Sequence, residues 1–123
     1  MEGVGFSLRL LLDIFAEVGI RPDEIALAGG GARSPLWARI LADTCQRPVA
    51  IFATEDTATH PLYAWCAMQL EPGLSFEAAL RRTFGEARRI WPQTGLAATY
   101  EQTFALYREA AFFMLNTMGR RER

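Results

Sequence analysis

Three consecutive glycines, Gly29 to Gly31, are the residues of this sequence whose type and spacing most directly suggest chemistry. They follow a short apolar run, Ile25 to Ala28, whose unbroken pattern suits a strand buried on both faces of a parallel sheet. Glycines reach positive φ and let the backbone approach a phosphate or ribose closely. Ser34 can cap the next helix with its hydroxyl, and Pro35 suits the first turn. Because free amides and about half a positive charge of helix dipole meet there, the pattern favours an anion site.

Two other interpretations of this loop stay open. A glycine-rich turn after a strand can simply reverse the chain. Alternatively, the loop could bind a dinucleotide such as NAD, since Gly29 and Gly31 supply G-x-G and an acidic residue, Glu55 or Asp56, follows the next predicted strand. The third glycine of that fingerprint would fall at position 34, where Ser34 stands, and a helix precedes the first strand. The residues therefore favour NAD least.

Other residues capable of chemistry give weaker patterns. His60 is the single histidine, and no Cys, Asp or second His stands at ligand spacing around it. We therefore expect a capping or surface role for it rather than a metal site. Asp43 falls on a predicted helix near Arg39 and is expected to be a structural or surface acid. Cys45 and Cys66 are expected to be free buried thiols in a reducing cytosol rather than a disulfide.

Length and composition limit the class of protein. The chain has 123 residues, 50% hydrophobic and 22% charged, with a net charge of −1, which suits one ordinary globular domain. The charge gives no reason to expect nucleic acid or an anionic membrane as a partner. No apolar run approaches the roughly 20 residues of a membrane span, and the first residues do not resemble a signal peptide. We therefore expect a soluble, cytoplasmic protein with neither a membrane nor a nucleic acid as partner.

The elements around the glycines predict a parallel βαβ unit. One helix precedes the first strand and ends at Gly19; its apolar face is formed by Leu8, Leu11, Leu12, Phe15 and Val18. A second helix runs from Ser34 to about Cys45, and Pro48 bars its continuation. Val49 to Phe52 is the second strand. The crossover between the two strands should be right-handed.

The second half of the chain is predicted to be mainly helical. A third helix begins at Thr59 or His60 and runs to about Leu70, and a fourth runs from Ser75 to about Phe84. Residues 87–91 are predicted to be extended or irregular. A long last helix, residues 96–118, carries a stripe that is expected to be core and is also our candidate self-association surface: Tyr100, Phe104, Tyr107, Ala111 and Leu115. The three tryptophans, Trp37, Trp65 and Trp91, are expected in the core or in an interface.

Several segments together resemble a known family. The run GGGARSPLW at 29–37, followed by Ile40–Asp43 and by Arg47–Val49, resembles the nucleotide-binding segment of the FGGY carbohydrate kinases, closest to their xylulokinase-like branch. Glu2–Val4 with Phe6 and Leu8–Arg9 resembles the helix that precedes this segment. The resemblance runs in order from Glu2 to about Phe52 and is looser beyond. Two departures are Arg39, in place of a polar amide, and His60-Pro61, where the family has small residues.

The resemblance implies a fold and a domain organisation. These kinases have two actin-like domains, and residues 1–123 would be an incomplete C-terminal nucleotide-binding domain. The implied fold class is α/β, a partial ribonuclease H-like (actin-like ATPase) domain. It would contain two short parallel strands, flanking helices and a long C-terminal helix. Because two strands leave both outer edges unpaired, we expect a fragment or remnant that oligomerises, or that pairs with the missing N-terminal domain.

The resemblance also implies a function and a site. The complete enzyme would transfer the γ-phosphate of ATP, with Mg, to a sugar hydroxyl. The implied nucleotide-binding residues are Gly29, Gly30, Gly31, Ala32, Ser34 and Pro35. The family's catalytic aspartate and its magnesium-contacting segments lie upstream of this chain, so no catalytic residue and no metal ligand is predicted. The chain alone should not phosphorylate a sugar. The alternative function is a non-catalytic oligomerising or interaction module derived from a kinase half.

Overall fold

The computed structural model describes residues 1–52, 59–84 and 86–118. In order, its elements are α1 (Glu2–Glu17), β1 (Ile25–Leu27), a 3₁₀ helix (Gly29–Arg33), α2 (Pro35–Cys45), β2 (Val49–Ile51), α3 (Thr59–Leu70), α4 (Phe76–Phe84), β3 (Arg88–Ile90), a second 3₁₀ helix (Thr94–Leu96) and α5 (Ala97–Met118). All five predicted helices and both predicted strands are present. Glutamate 55 and aspartate 56, the acidic candidates of the dinucleotide hypothesis, lie outside the described residues.

The sheet has three strands, in the order β1-β2-β3, and not the two that were predicted. Strands β1 and β2 are parallel, whereas β3 pairs with β2 in the antiparallel direction. Residues 87–91, which were predicted to be extended or irregular, contain Arg88 and Arg89 in place of an apolar pattern. Both arginines are exposed, as suits an edge strand, where charged residues discourage pairing with another chain. The expectation that both strands leave an outer edge unpaired is therefore wrong for β2.

The two parallel strands, β1 and β2, differ in how deeply their residues are buried. Every residue of the central strand β2 is buried, whereas Ala26 in the middle of β1 is exposed. Ile25 and Leu27 point to the other face and pack against the core. The prediction that β1 is buried on both faces is wrong, because the face that carries Ala26 borders a cavity beneath α4.

The main core lies between α2 and one face of the sheet. Its buried members are Ala38, Leu41, Ala42, Val49 and Ile51. Helix α2 ends as Gln46 takes the left-handed conformation, with φ of 52°, so the chain has already turned before Pro48. Helix α1 ends at the predicted position, where Gly19 has φ of 85°.

Helix α1 packs on α2 at a very close crossing. A Cβ atom at Gly5 would overlap Thr44 Oγ1 and would lie 3.1 Å from Thr44 Cβ. Both residues are buried, and the Thr44 hydroxyl donates to the Ile40 carbonyl at 2.7 Å. Gly5 therefore sets how closely the two helices approach.

The first half of α5 packs on α1. Phe6 is buried against three rings of α5, with centroids 5.5–6.2 Å away: Tyr100, Phe104 and Tyr107. Arg9 lies over the Phe104 ring at 4.2 Å and forms an ion pair with Glu101. Burial and a hydrogen bond to Glu2 raise the pKa of Tyr100 to about 12. The predicted core stripe is thus correct for this half of α5.

The last turns of α5 are exposed. Phe112, Phe113, Met114 and Leu115 all lie in solvent, and Leu115 is 63% exposed. The prediction that the stripe is core as far as Leu115 is wrong. The periodicity was present, but residues 112–117 are exposed.

Helices α3 and α4 form a second layer that packs mainly on itself. It meets the sheet through Phe52 and Phe84, whose ring centroids lie 5.3 Å apart, and His60 stacks on Phe84 at 4.5 Å. Cys66 on α3 is exposed, whereas Cys45 on α2 is buried, so the prediction of two buried thiols is wrong for Cys66.

The three tryptophans also differ in their exposure to solvent. Trp37 packs against the core, whereas Trp65 and Trp91 are exposed. In the described part of the chain, no helix is long and apolar enough to cross a membrane.

Candidate functional site

The glycine loop lies where the parallel strands end. It begins at Gly29, directly after Ala28, and forms the 3₁₀ helix Gly29–Arg33. The Phe52 N–H, just past β2, donates to the Leu27 carbonyl at 3.0 Å. The carboxyl ends of β1 and β2 therefore lie side by side beneath the loop. In open α/β sheets, ligands bind in the crevice outside these strand ends.

The three glycines differ in backbone conformation and in surroundings. Gly29 has φ of 66°, a conformation that side chains disfavour. Gly31 is packed inward, since a Cβ there would lie 3.3 Å from Leu27 Cδ1 and 3.5 Å from the Trp37 ring. At Gly30, a Cβ would meet nothing within 4 Å, and the residue is exposed. The fold therefore favours glycine at Gly29 and Gly31, while nothing in it requires Gly30 to be glycine.

The predicted cap of α2 is confirmed. Ser34 Oγ accepts the Trp37 N–H at 3.2 Å, and the Ser34 carbonyl accepts the Ala38 N–H at 3.1 Å. Pro35 stands at the first helical position and has no N–H. Among the described residues, Leu36 is then the one first-turn residue whose amide is not used within the protein. The helix terminus can offer an anion fewer amides than the sequence suggested.

Apolar cavities border the loop on both sides. A groove of about 340 Å³ lies between the loop and the start of α1, and is lined by Met1, Val4, Gly31, Ser34 and Trp37. A cavity of about 350 Å³ lies on the other face of the sheet, under α4, and is lined mainly by Ala26, Ala28, Phe52, Leu80 and Phe84. Sequence reasoning missed both, because their walls come from elements far apart in the chain. Open backbone between apolar walls suits a ligand with a flat ring and an anionic group.

Charged residues of both signs line a cleft near the second cavity. A wider cleft of about 600 Å³ is lined by Glu24, Phe52, Arg81, Glu86, Ala87 and Arg89. Arg89 donates to both carboxylate oxygens of Glu24, and these hydrogen bonds lower the pKa of Glu24. Because two acidic and two basic residues line it, the cleft has no strongly positive surface for a triphosphate.

Asp43 and Arg39 have structural roles. Asp43 is 2% exposed, and its Oδ1 accepts the Gln93 N–H at 2.7 Å. One turn earlier, Arg39 donates to the Trp91 carbonyl at 2.6 Å. The two side chains bind α2 to the segment between β3 and α5. Of the two predicted roles for Asp43, structural or surface acid, the structural one is correct.

The structure places the six predicted nucleotide-binding residues in one continuous segment: Gly29, Gly30, Gly31, Ala32, Ser34 and Pro35. This segment joins the end of β1 to the start of α2. Within the described ranges, no group of three His, Cys, Asp or Glu side chains could hold a metal ion.

Similar proteins were found by sequence and by structure. The C-terminal domain model of the FGGY family of carbohydrate kinases matches residues 1–60. A xylulose kinase of Haemophilus influenzae is 38% identical over 58 residues, which cover 47% of this chain and 12% of that protein. One from Escherichia coli is 46% identical over 43 residues, covering 35% of this chain and 9% of that protein. The matched segments of the chain thus span about a tenth of the length of these relatives.

The structural comparison extends further along the chain. The crystal structure of xylulose kinase from Rhodospirillum rubrum matches 95% of this chain and 24% of that chain, with a TM-score of 0.77 and 24% sequence identity. At this identity the match shows a shared fold.

The family match covers α1, β1, the glycine loop, α2 and β2. Residues 1–60 therefore match the C-terminal domain of the FGGY family of carbohydrate kinases, and the sequence and structure matches together support a C-terminal portion of such a kinase.

Proposed function

We propose that this chain is the nucleotide-binding part of an ATP-dependent carbohydrate kinase. The complete enzyme transfers the γ-phosphate of ATP to a sugar hydroxyl, in the cytoplasm. Residues 1–123 are the C-terminal part of its second, ribonuclease H-like (actin-like) domain. The observation that carries the proposal is Gly30: its backbone is open to solvent at the carboxyl end of β1, inside the segment that the family model matches.

Steric space and hydrogen-bonding groups support a nucleotide at this loop. Gly30 leaves room for a ligand to approach the backbone closely, and Leu36 has an amide to donate to an anion. The apolar groove beside Gly31 and Trp37 can cover a flat ring. Mg·ATP supplies the phosphoryl group when bound. The chain's own residues bind and orient it, and the catalytic base and the magnesium-contacting groups come from the rest of the kinase.

The experiment is a calorimetric titration of the chain with Mg·ATP, comparing Gly30→Val with Gly95→Val. Both glycines lie in 3₁₀ helices, and a Cβ at either would meet nothing within 4 Å. Neither substitution should disturb the fold, so Gly95→Val is a matched control. We expect weak saturable binding, since few contacts must offset the ordering of the ligand.

Gly30→Val should reduce this binding at least tenfold and Gly95→Val should leave it unchanged. Equal binding by all three proteins would contradict a nucleotide at the loop. Gly31→Val is a poorer test, because its side chain would press on Leu27 and Trp37.

A second candidate is a non-catalytic interaction module derived from a kinase half. The large apolar side chains exposed on α1, α3 and α5 favour it. A well-folded chain that binds neither Mg·ATP nor NAD would support this function over the first. Binding of NAD alone would exclude both.

A further inference from the structure

We propose that Trp37 is a positioning residue of the candidate nucleotide site. Its indole ring holds the glycine loop in the conformation that presents the Gly30 backbone to a ligand. This role deepens the proposed function and rests on it for the identity of the ligand. The contacts that carry it all lie among residues 27–38, which the structure describes without a gap.

Gly31 is the fixed point of the loop. A Cβ built on it would lie 3.3 Å from Leu27 Cδ1 and 3.5 Å from both Cδ1 and Nε1 of Trp37. The Gly31 carbonyl accepts the Ser34 N–H at 3.3 Å. Leu27 and Trp37 both pack against the main core. These contacts therefore tie Gly31 to the core of the molecule.

Gly30 has no side-chain neighbours of its own. A Cβ at Gly30 or at Gly29 would meet nothing within 4 Å, and Gly30 is exposed. Glycine is also the residue with the widest range of backbone conformations. The position of the Gly30 backbone is therefore set mainly by its attachment to Gly31.

Trp37 contacts the loop at two places. Its backbone N–H donates to Ser34 Oγ at 3.2 Å, at the end of the loop, and the edge of its five-membered ring faces Gly31. The side chain is half-buried and also packs against the core. A substitution that keeps the backbone N–H keeps the contact with Ser34 and changes only the contact with Gly31. The ring can therefore be tested separately from the helix cap.

A loop that already has its binding conformation costs less free energy to order when a ligand arrives. Without the ring, Gly31 is held on one side only, by Leu27, and Gly30 becomes free to take other conformations. Removal of the ring should therefore weaken nucleotide binding. Trp37 also lines the apolar groove beside the loop, so the decisive measurement is one made without nucleotide.

That measurement is amide hydrogen exchange by NMR on the unchanged chain and on Trp37→Leu. The Ser34 N–H, bonded to Gly31, reports on the loop, and the Ile25 N–H, which donates to the Pro48 carbonyl at 2.9 Å, reports on the sheet. In Trp37→Leu, exchange at Ser34 should become faster, on the order of tenfold, while exchange at Ile25 stays unchanged. A residue that only stabilised the whole fold would speed both amides by the same factor.

Two variants serve as controls. Trp37→Phe keeps an aromatic ring beside Gly31 and should restore slow exchange at Ser34. Trp91→Leu is the same substitution at the other end of the sheet, since Ile90 pairs with Val49 at the start of β2. The Trp91 side chain is 64% exposed, so this change should alter neither amide.

Calorimetric titration of the same four proteins with Mg·ATP completes the test. Trp37→Leu should bind about five- to tenfold more weakly than the unchanged chain, because the loop must be ordered on binding. Trp37→Phe and Trp91→Leu should bind like the unchanged chain. Circular dichroism checks folding. Should Trp37→Leu fail to fold, Trp37→Met, which is larger and flexible, replaces it with the same expected results.

Two outcomes would overturn the role of Trp37. One is an exchange rate at Ser34 that does not change, or that changes by the same factor as the rate at Ile25. The other is a faster loop with an unchanged affinity for Mg·ATP. If the unchanged chain binds no Mg·ATP, the proposed function fails and the role of Trp37 in binding fails with it. The exchange rates then show by themselves whether the ring holds the loop.

Discussion

The two faces of the sheet are packed very differently. On the face covered by α2, six of the helix's 11 residues are buried, and small residues let the backbones approach closely. On the face covered by α3 and α4, each helix has one buried residue, Ala64 or Ala79. There, a cavity of about 350 Å³ separates α4 from β1.

The difference in packing between the two faces of the sheet follows from the size of the side chains at the contacts between helices and sheet. Gly5, Ala38 and Ala42 leave space where α1, α2 and the sheet meet, and Val49 and Leu41 fill it. On the other face, the larger rings Phe52 and Phe84 hold α4 away from Ala26 and Ala28. The densely packed face is built almost entirely from the residues that match the family model. The residues that match the family model therefore provide close packing as well as the glycine loop.

The two cysteines should give the largest measurable difference between the faces. Cys66 on α3 is exposed, whereas Cys45 on α2 is buried and burial raises the pKa of its thiol. Because Cys45 can react only when the structure opens, Cys66 should react with an aromatic disulfide reagent on the order of a hundredfold faster or more. Stopped-flow absorbance would show one fast thiol. Cys66→Ser should remove that phase, and a fast phase that survives would contradict the burial of Cys45.

A pair of identical truncations, Leu41→Ala and Leu80→Ala, tests the packing directly. Leu41 is 3% exposed within the α2 core, so its truncation should cost about 3 kcal/mol of unfolding free energy. Leu80 is half-buried beside an existing cavity, so we expect about 1 kcal/mol. Urea denaturation measures both. Equal losses would show that the two faces are equally well packed.

Gly5→Ala should break the close crossing of α1 and α2. The added methyl would overlap Thr44, which is fully buried and cannot move away. We expect a loss of about 2 kcal/mol. Gly3→Ala is the matched control, since a Cβ at Gly3 meets nothing within 4 Å and alanine favours the helix by about 0.5–1 kcal/mol. The double variant Gly5→Ala/Thr44→Ala should recover part of the lost unfolding free energy. If it recovers none, the loss in Gly5→Ala does not come from the overlap with Thr44.

Asp43→Ala should loosen the segment between β3 and α5. It removes the carboxylate that accepts the Gln93 N–H and leaves that amide without its partner, at a cost of about 1–2 kcal/mol. Asp43→Asn keeps an acceptor oxygen at the same place, so most of the stability should remain. Urea denaturation curves of both variants measure how much unfolding free energy each one loses. Equal loss in both would mean that the negative charge, rather than the hydrogen bond, is what stabilises the contact.

The smallest expected effect concerns the ion pair between Glu24 and Arg89 on the α4 face. Since Arg89 lowers the pKa of Glu24, the pair stabilises the fold above the ordinary glutamate pKa of about 4.3. This contribution should fall away as the pH drops further, through the lowered pKa of Glu24. Both side chains are exposed, so the effect should be small and weaker in high salt. Denaturation at pH 7 and pH 3.5 should show a smaller pH dependence in Glu24→Gln than in the unchanged chain.

The sequence predicted the parts of the fold that depend on local pattern. Ser34, Pro35 and the glycines marked the start of α2, and Gly19 marked the end of α1, because capping and positive φ involve only neighbouring residues. Strand β3 was not recognised as part of the sheet, since its pairing with β2 is a long-range contact. The candidate loop was found, but its apolar cavities were not, because no local signal joins Ala28 to Leu80.

Taken alone, the sequence determined the five helices, the parallel βαβ unit and the resemblance to FGGY kinases, since periodicity, caps and short motifs are written along the chain. Only the tertiary structure decided which side of each helix is covered. It distinguished Gly30, which is open to solvent, from Gly31, which is packed inward. It also showed that α1 has an exposed apolar face, whereas the stripe of α5 is core only as far as Tyr107. The reason is physical: a pattern shows that a side chain is apolar, but its burial depends on what lies against it.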